Sequence, residues 1–215
     1  MSLDCVLCQS SSPIYFSDTK QITDYYWCQT CDLKFLSPKH YLSPDKEKER
    51  YNLHVNDPAD VGYQKYLEPV RHIILQKYGA STPLKVLDFG SGTHSALVPL
   101  FQDLPIDYTA YDLYFKDDRS ALTGLYDVVV ATEVIEHLAD PMTVLKQLRA
   151  LTKPGGSLII MTQFFTNKVN FKDWHYRRDP THIAFYSEKT MKYIKEYFGF
   201  SEVGFAAGRL AWLKY

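Results

Sequence analysis

The sequence predicts an α/β fold with a mostly parallel sheet, an antiparallel hairpin at its C-terminal end and a small metal-binding module at its N-terminal end. Three observations support this prediction. Strand-like and helix-like segments alternate from Leu84 onward, a glycine-rich turn follows the first of these strands, and all four cysteines fall in the first 31 residues. Strands separated by helices favour a parallel sheet, and such sheets bind ligands at the carboxyl ends of their strands.

The periodicity of apolar residues places the individual elements. Strands are predicted near residues 84–89, 107–112, 126–131, 157–163, 200–206 and 210–215, and helices near residues 95–103, 141–152 and 187–198. A short charged helix should start at Ser43 and run through Arg50, and helical spacing recurs up to Tyr78, with Pro69 beginning or bending that helix. Between Asp112 and Tyr126 lie too few residues for a helix, a strand and a second helix, so the third strand should be shortened or absent.

The glycine-rich turn is the most informative stretch. The strand that contains Asp88 runs into Gly90-Ser91-Gly92, and Asp112 follows twenty positions after Gly92. Glycines allow unusual backbone angles and a close approach of ligand to main chain, and an acid at the tip of the second strand can accept hydrogen bonds from ribose hydroxyls. The third glycine of the dinucleotide fingerprint is missing, which disfavours a nicotinamide cofactor. Asp88 suits a cationic or amine-bearing ligand instead.

Residues 81–215 resemble the class I S-adenosylmethionine-dependent methyltransferases. Three motifs in the expected order carry the resemblance: Asp88-Phe89-Gly90-Ser91-Gly92, the segment from Tyr126 to Leu138, and the segment from Leu151 to Ile160 with its Pro-Gly-Gly turn. The resemblance implies a Rossmann-like sheet with an antiparallel last strand. It also implies transfer of a methyl group from S-adenosylmethionine to an acceptor.

The resemblance implies the following cofactor site. Backbone groups of Gly90, Ser91 and Gly92 would hold the methionine end, Asp112 the ribose, and Leu113 would pack on the adenine. Glu133, at the tip of the fourth strand, would lie where donor and acceptor meet. Two simpler roles remain open for Glu133: an acid at the start of a helix, or a partner of His137 four residues later.

The acceptor side is predicted from residues 164–187, which are rich in aromatic and basic residues. Loops of this length are uncommon in a compact domain unless they form lids or binding surfaces. Asp179-Pro180-Thr181-His182 is similar to a stretch of several small-molecule methyltransferases, where the histidine lies near the acceptor. His182 is therefore the first candidate for a general base, followed by His175 and Tyr176. Alternatively, His182 hydrogen-bonds the backbone and shapes the loop.

The four cysteines form two matched pairs, Cys5-x-x-Cys8 and Cys28-x-x-Cys31. This spacing lets both sulfurs of each pair face one tetrahedral ion, which predicts a structural zinc site in a zinc-ribbon-like module. The alternatives are four unrelated buried thiols, or disulfides, which a reducing compartment disfavours. A zinc module in front of a methyltransferase domain is also the layout of sugar C-methyltransferases and of some ribosomal RNA methyltransferases.

Composition limits the remaining choices. The chain has 215 residues, 46% of them hydrophobic, and a formal net charge of −1, so no global field draws it to nucleic acid or to anionic membrane. It lacks a long apolar run and the pattern of a signal peptide, so a cytoplasmic protein is expected. The predicted division is a zinc-binding module at 1–42, a helical linker or lid at 43–80, with Tyr51, His54 and Asn56 as lid residues, and the methyltransferase domain at 81–215.

The expected function is methyl transfer to a small-molecule acceptor such as a sugar, a quinone or a related metabolite. Two alternatives stay open: an RNA methyltransferase that docks RNA through the zinc module, and a non-catalytic module that binds zinc and cofactor. A homo-oligomer is possible, and nucleic acid is a less favoured partner because of the near-neutral charge.

Overall fold

A computed structural model describes residues 2–53 and 57–215. His54 and Asn56, predicted as lid residues, lie outside the described residues. The chain forms two sheets and five α-helices in the described part. The strands are β1 (Ser2–Asp4), β2 (Ser11–Asp18), β3 (Thr23–Trp27), β4 (Lys34–Leu36), β5 (Leu84–Phe89), β6 (Ile106–Tyr111), β7 (Tyr126–Thr132), β8 (Thr152–Met161), β9 (Ala184–Phe185), β10 (Glu202–Ala206) and β11 (Leu210–Lys214). The helices are α1 (Pro44–Tyr51), α2 (Val61–Tyr78), α3 (Val98–Phe101), α4 (Pro141–Leu151) and α5 (Glu188–Phe198).

The larger sheet has six strands in the order β10-β11-β8-β7-β5-β6. Strands β6, β5, β7 and β8 are parallel, while β11 pairs antiparallel with both β8 and β10. This confirms the predicted parallel sheet with an antiparallel C-terminal hairpin. The register sets Asp88 beside Ala110 and Val130, so the ends of β5, β6 and β7 meet at one edge.

Two predicted elements differ from the structure. The helix predicted at 95–103 is reduced to α3, because the Ser95 side chain bonds to Asp88 and Pro99 occupies the first turn of the helix. The segment between Asp112 and Tyr126 holds no strand. It forms a 3-10 turn, Arg119–Leu122, after a single bridge between Asp112 and Lys116. The prediction of a missing third strand is therefore confirmed.

Helix α2 runs through Pro69 without ending there. Asp60 caps its first turn, since the Asp60 carboxylate accepts hydrogen bonds from the amides of Gly62 and Tyr63. The helix buries Val70 and other apolar residues against the sheet. No helix among residues 2–53 and 57–215 is long and apolar enough to cross a membrane.

The smaller sheet has the order β1-β2-β3-β4-β9. Its last strand comes from the C-terminal half of the chain: Phe35 pairs with Ala184, and Lys34 with Phe185. One apolar cluster also joins the buried cysteines to residues such as Leu148. The division at residue 42 stays a prediction. The pairing of β4 with β9 joins the two sides of this division.

Candidate functional site

A cavity of about 890 Å³ opens at the carboxyl edge of β5, β6 and β7. All the side chains and turn residues predicted to bind the cofactor line it: Asp88, Gly90, Ser91, Gly92, Asp112, Leu113 and Glu133. The topology explains this convergence, because the residues that follow neighbouring parallel strands emerge at the same edge of the sheet.

The glycine turn forms the floor of the cavity. Gly90 and Gly92 have φ values of 79° and 68°, in the left-handed region that favours glycine. The amides of Gly90 and Ser91 donate to the carbonyl of Tyr111, 2.8 and 3.1 Å away, which ties the turn to the end of β6. A Cβ on Gly90 would lie 2.3 Å from Cγ2 of Val134. On Gly92 it would meet nothing within 4 Å, so this residue faces open space.

Asp88 lies beneath the turn and is 2% exposed. Its Oδ2 accepts hydrogen bonds from the hydroxyls of Ser95 and Tyr108, at 2.6 and 2.5 Å. Its Oδ1 is buried without a hydrogen-bond partner in the described residues. Burial raises the pKa of Asp88 above its ordinary value. A buried acceptor without a partner is costly, and it fits a ligand that brings a hydrogen-bond donor or a positive charge.

Asp112 holds the neighbouring strand tip in place. Its Oδ2 accepts from the amide of Gly92 at 2.9 Å, and its Oδ1 accepts from the amides of Tyr114 and Phe115 at 2.9 and 3.0 Å. The carboxylate therefore joins the glycine turn to the loop after β6. Leu113, beside it, is 55% exposed and borders the cavity.

Glu133 follows β7 with a φ of 52°, which is strained for a residue with a side chain. Its amide donates to the carbonyl of Met161, and its two carboxylate oxygens accept from the hydroxyls of Tyr66 and Tyr176, at 2.9 and 3.2 Å. Burial raises the pKa of Glu133. Its carboxylate thus bonds to two tyrosines, whereas one alternative expected His137 as the partner.

The sequence analysis missed Glu136, which is fully buried. The Tyr176 hydroxyl donates to its Oε1, whereas its Oε2 has no partner in the described part of the chain. Burial and the nearby charge of Glu133 raise the pKa of Glu136 well above its ordinary value. Glu136 lies in the 3-10 turn Ile135–His137 that follows β7, and its burial depends on tertiary packing, so no local sequence pattern indicated it.

Two histidines meet in the wall of the cavity. His182 and His137 both line it, with ring centroids 4.8 Å apart. Their Nδ1 atoms lie 2.6 and 2.9 Å from the carbonyls of Tyr176 and Thr181. Because a carbonyl can only accept, Nδ1 carries the proton in each ring, and the lone pair of the neutral ring is on Nε2.

The other two candidates for the general base lie elsewhere. His175 borders a second cavity of about 350 Å³, which it shares with Arg50, Arg178 and His182. Tyr176 is buried, and its hydroxyl donates to the carboxylates of Glu133 and Glu136. A protonated hydroxyl held in this way is not available as a general base. Burial and both glutamates raise the pKa of Tyr176 well above its ordinary value.

Most of the aromatic residues of segment 164–187 do not line the main cavity. Phe165, Phe171 and Trp174 pack with Tyr25 and Phe185 in a cluster between this segment and the N-terminal strands. From this segment, residues 179–183 reach the cavity. About half of the segment is buried, and its predicted role on the acceptor side stays a prediction that residues 179–183 would carry. The aromatic wall of the cavity is built by tyrosines that lie far apart in sequence: Tyr41, Tyr51, Tyr63, Tyr66, Tyr111 and Tyr114.

Two groups among the described residues have the geometry to hold a metal ion. Glu136, His137 and His182 offer ligand atoms within 4.8 Å of one another, a donor set of oxygen and nitrogen. The four predicted zinc ligands form the second group, also within 4.8 Å of one another: Cys5, Cys8, Cys28 and Cys31.

The cysteine group fits a tetrahedral zinc ion. The Sγ atoms of Cys5 and Cys31 are 3.5 Å apart and those of Cys8 and Cys28 are 3.3 Å apart. These distances exceed the roughly 2.05 Å of a disulfide and lie near the roughly 3.8 Å between sulfurs on a tetrahedral ion with Zn–S bonds of about 2.3 Å. The hydrogen bond between Cys5 and Cys31 lowers the pKa of Cys5 to about 6 and raises the pKa of Cys31, so the two sulfurs share a proton that a metal ion would displace.

The two cysteine turns have matching backbones. After each pair comes a residue with a left-handed conformation, Gln9 at φ 61° and Asp32 at φ 66°. The Gln9 amide donates to the carbonyl of Cys5, and the Asp32 amide donates to that of Cys28, at 2.9 and 2.8 Å. Two equivalent turns thus present their sulfurs to one point.

A model of the protein family described as "Methyltransferase domain" matches residues 43–203. The chain is 40% identical over 47 residues to the ubiquinone biosynthesis O-methyltransferase of Vibrio parahaemolyticus, an alignment that covers 22% of this chain and 20% of that protein. It is 54% identical over 62 residues to the protein of the same name from Cereibacter sphaeroides, covering 27% and 23%. The alignments with the curated relatives thus span between 20% and 30% of their length.

Solved structures show the same fold. The 1,6-didemethyltoxoflavin-N1-methyltransferase of Burkholderia thailandensis, solved with 1,6-didemethyltoxoflavin and S-adenosylhomocysteine, superimposes with a TM-score of 0.58 at 15% identity over 94% of this chain and 98% of that one. An O-methyltransferase family protein from the same organism gives a TM-score of 0.53 at 16% identity, covering 78% and 61%. Because the family model spans more than half of the chain and the sheet has the topology expected of it, this protein belongs to the family of methyltransferase domains.

Proposed function

We propose that the protein is an S-adenosylmethionine-dependent methyltransferase that acts on a small-molecule acceptor. The observation that carries the proposal is the convergence of the glycine turn, the unpartnered Oδ1 of Asp88 and the Asp112 carboxylate on one cavity. The toxoflavin enzyme of similar fold, solved with a small molecule and S-adenosylhomocysteine, and the ubiquinone O-methyltransferase relatives support the same class.

The residues present fit the cofactor. Asp88 would accept from its amino group, the backbone from Gly90 to Gly92 would hold its methionine end, Asp112 would accept from the ribose hydroxyls and Leu113 would cover the adenine. When bound, S-adenosylmethionine supplies a methyl group activated by a positive sulfur. The protein then has to align the acceptor and exclude water, and alignment alone can contribute roughly 7 to 11 kcal/mol to lowering the barrier.

The lining of the cavity favours a small acceptor without phosphates. Among the lining residues, Arg119 is the one arginine or lysine. The other charged residues are acids: Glu47, Asp88, Asp112, Glu133, Asp140 and Asp179. Phosphate recognition needs cationic side chains, so this surface disfavours an RNA backbone. The volume is also in the range typical of small-molecule sites, roughly 300 to 1,000 Å³.

His182 is proposed to remove the proton of the acceptor. The hydrogen bond from its Nδ1 to the carbonyl of Tyr176 fixes the tautomer with the lone pair on Nε2, which is what a general base requires. Glu136, His137 and His182 also have a donor set that suits a divalent cation, which would lower the pKa of an acceptor hydroxyl bound to it. A chelator that leaves the metal of the cysteine site in place separates these two roles. Activity that persists in the chelator supports His182 as the general base. Activity that is lost in the chelator and returns with added Mg²⁺ or Mn²⁺ supports the cation.

The four cysteines are proposed to hold a structural zinc ion. All four ligand positions are thiolates from the protein, so no position is left for water or substrate, and the metal stabilises the module rather than reacting.

The test is methyl transfer from labelled S-adenosylmethionine to a panel of phenols, quinols and sugars, with total RNA as the competing acceptor class. Label in a small molecule supports the proposal. Label in RNA alone, or absence of cofactor binding by calorimetry, contradicts it. The variant is His182→Gln, which should lower kcat by roughly 10²-fold or more, and the matched control is His72→Gln, an exposed histidine that is not among the residues lining the cavity.

A further inference from the structure

Besides the aromatic cluster described above, three polar attachments join the segment that carries His182 to the N-terminal module. Here the acceptor segment means residues 164–187, and the N-terminal module means residues 2–42. Resting on the proposed function, we propose that Asp18 and Asp32 of the N-terminal module are positioning residues: they hold the acceptor segment so that His182 faces the cavity, and they leave cofactor binding unchanged.

The first attachment is Asp32, which directly follows the metal-binding Cys31. Its Oδ1 accepts from the indole nitrogen of Trp27 at 2.9 Å, and its Oδ2 accepts from the hydroxyl of Ser187 at 2.6 Å. Ser187 is the N-cap of α5, where its Oγ also accepts from the amide of Thr190. One carboxylate therefore joins a cysteine turn to the residue that ends the acceptor segment and begins α5.

The second attachment is the pairing of β4 with β9. The Leu36 amide donates to the carbonyl of Ile183 at 2.8 Å, and Phe35 pairs with Ala184. Ile183 lines the cavity and is the covalent neighbour of His182. A short strand of the module thus fixes the backbone one residue away from the proposed base.

The third attachment is an ion pair between Arg177 and Asp18, with Nη2 and Oδ2 separated by 3.0 Å. Arg177 is 5% exposed and also donates to the carbonyls of Phe171 and Lys172, at 3.1 and 2.8 Å. A buried guanidinium needs a compensating charge, and Asp18 at the end of β2 supplies it. Arg177 follows Tyr176, whose carbonyl orients the His182 ring, so the ion pair acts on the base through one peptide unit.

The two aspartates of the cofactor site, Asp88 and Asp112, are held separately from the N-terminal module. Asp88 accepts hydrogen bonds from Ser95 and Tyr108, and the Asp112 carboxylate accepts from the amides of Gly92 and of the following loop. Among the described residues none of these donors belongs to the N-terminal module. Loosening the module should therefore change the acceptor side while the cofactor side stays intact.

The experiment compares Asp18→Asn and Asp32→Asn with Asp24→Asn. Asparagine tolerates the left-handed backbone of residue 32, so this substitution removes charge without straining the turn. Asp24 is the matched control because its carboxylate bonds to Ser17 and Lys39, both within the module. Zinc content is measured for each variant, so that loss of metal is not mistaken for loss of the attachment.

Four measurements follow: Kd for S-adenosylhomocysteine by calorimetry, KM and kcat for the acceptor that takes the label, and hydrogen exchange of residues 171–187. We expect Kd within about twofold of wild type, kcat/KM lowered by about tenfold, which corresponds to about 1.4 kcal/mol, and faster exchange in this segment. Asp18→Glu, which retains the charge, should restore kcat/KM and exchange toward wild type, a recovery that general destabilisation would not give.

The proposal is overturned if both variants behave like Asp24→Asn, or if Kd weakens as much as kcat/KM falls. Should Asp18→Asn fail to fold, Ser187→Ala tests the same claim more mildly, because it removes only the bond to Asp32 and the cap. These outcomes differ from failure of the proposed function, in which the wild-type protein binds no S-adenosylhomocysteine. In that case hydrogen exchange of residues 171–187 still reports whether Asp18 and Asp32 hold the acceptor segment.

Discussion

At the scale of single residues, burial of Asp88 disfavours the charged carboxylate that the proposed cofactor site needs. Its ionised carboxylate is desolvated, which raises its pKa, and one oxygen has no partner in the described residues. A raised pKa means that the charged form costs stability, a cost absent below the unfolded-state pKa and growing as the pH rises through the folded value. The proposed amine-bearing ligand would offset this cost.

We therefore predict that Asp88→Asn weakens S-adenosylhomocysteine binding by at least about tenfold at neutral pH, while Tm stays equal or rises. In the wild type, affinity should fall on acidification, starting at a higher pH than for an exposed aspartate, because protonation removes the charge that faces the amino group. Calorimetry at several pH values and thermal unfolding check both parts. An unchanged Kd in the variant would contradict the role of Asp88.

The sequence could predict Asp88, the glycines and Asp112 because their relation is local: each follows a strand, and parallel strands end together. It could not predict Tyr66 or Glu136 as members of the site. Tyr66 reaches Glu133 across 67 positions, and the burial of Glu136 depends on how the acceptor segment packs over β7. Such contacts are products of tertiary packing and have no local pattern.

At the scale of elements, the glycine turn after β5 sets the shape of the site. Gly90→Ala would place a Cβ 2.3 Å from Val134 in a left-handed backbone, so we predict a loss of roughly 1 to 3 kcal/mol of stability and weaker cofactor binding. Gly124→Ala is the control, since its Cβ would meet its nearest neighbour at 3.4 Å and its φ is not positive. Chemical denaturation measures both variants, and equal unfolding free energies would contradict the strain.

Helix α5 was predicted to within one residue because its ends are marked in sequence, by the Ser187 cap and by Gly199 in a left-handed conformation. Strand β9 was not predicted. Two residues are too short for a periodic pattern, and their partner β4 lies at the other end of the chain. For the same reason the sequence could not show that Phe165, Phe171 and Trp174 pack against the N-terminal strands instead of lining the cavity.

At the scale of the whole molecule, the N-terminal module and the larger sheet share one apolar cluster that contains the buried cysteines. A structural zinc ion contributes on the order of 10 kcal/mol to small folds of this kind. We predict one zinc per chain by elemental analysis, and a lower Tm after chelation or in Cys8→Ser. Hydrogen exchange should then rise in β1–β4 and in β9 together, since these strands form one sheet.

Gln29→Ala is a suitable control, because it changes an exposed residue between Cys28 and Cys31 without removing a thiolate. Protein that carries no metal, or that holds the four sulfurs as two disulfides by mass spectrometry, would contradict the zinc site.

The claim on which the rest depends is that the cavity between the glycine turn and Asp112 binds the cofactor. The most direct measurement is calorimetric titration of S-adenosylhomocysteine into wild type and Asp112→Ala, with the exposed Asp107→Ala as control. We predict one site per chain in the wild type and the control, and an affinity at least about tenfold weaker in Asp112→Ala. Absence of binding to the wild type, or equal affinity in all three proteins, would contradict this account.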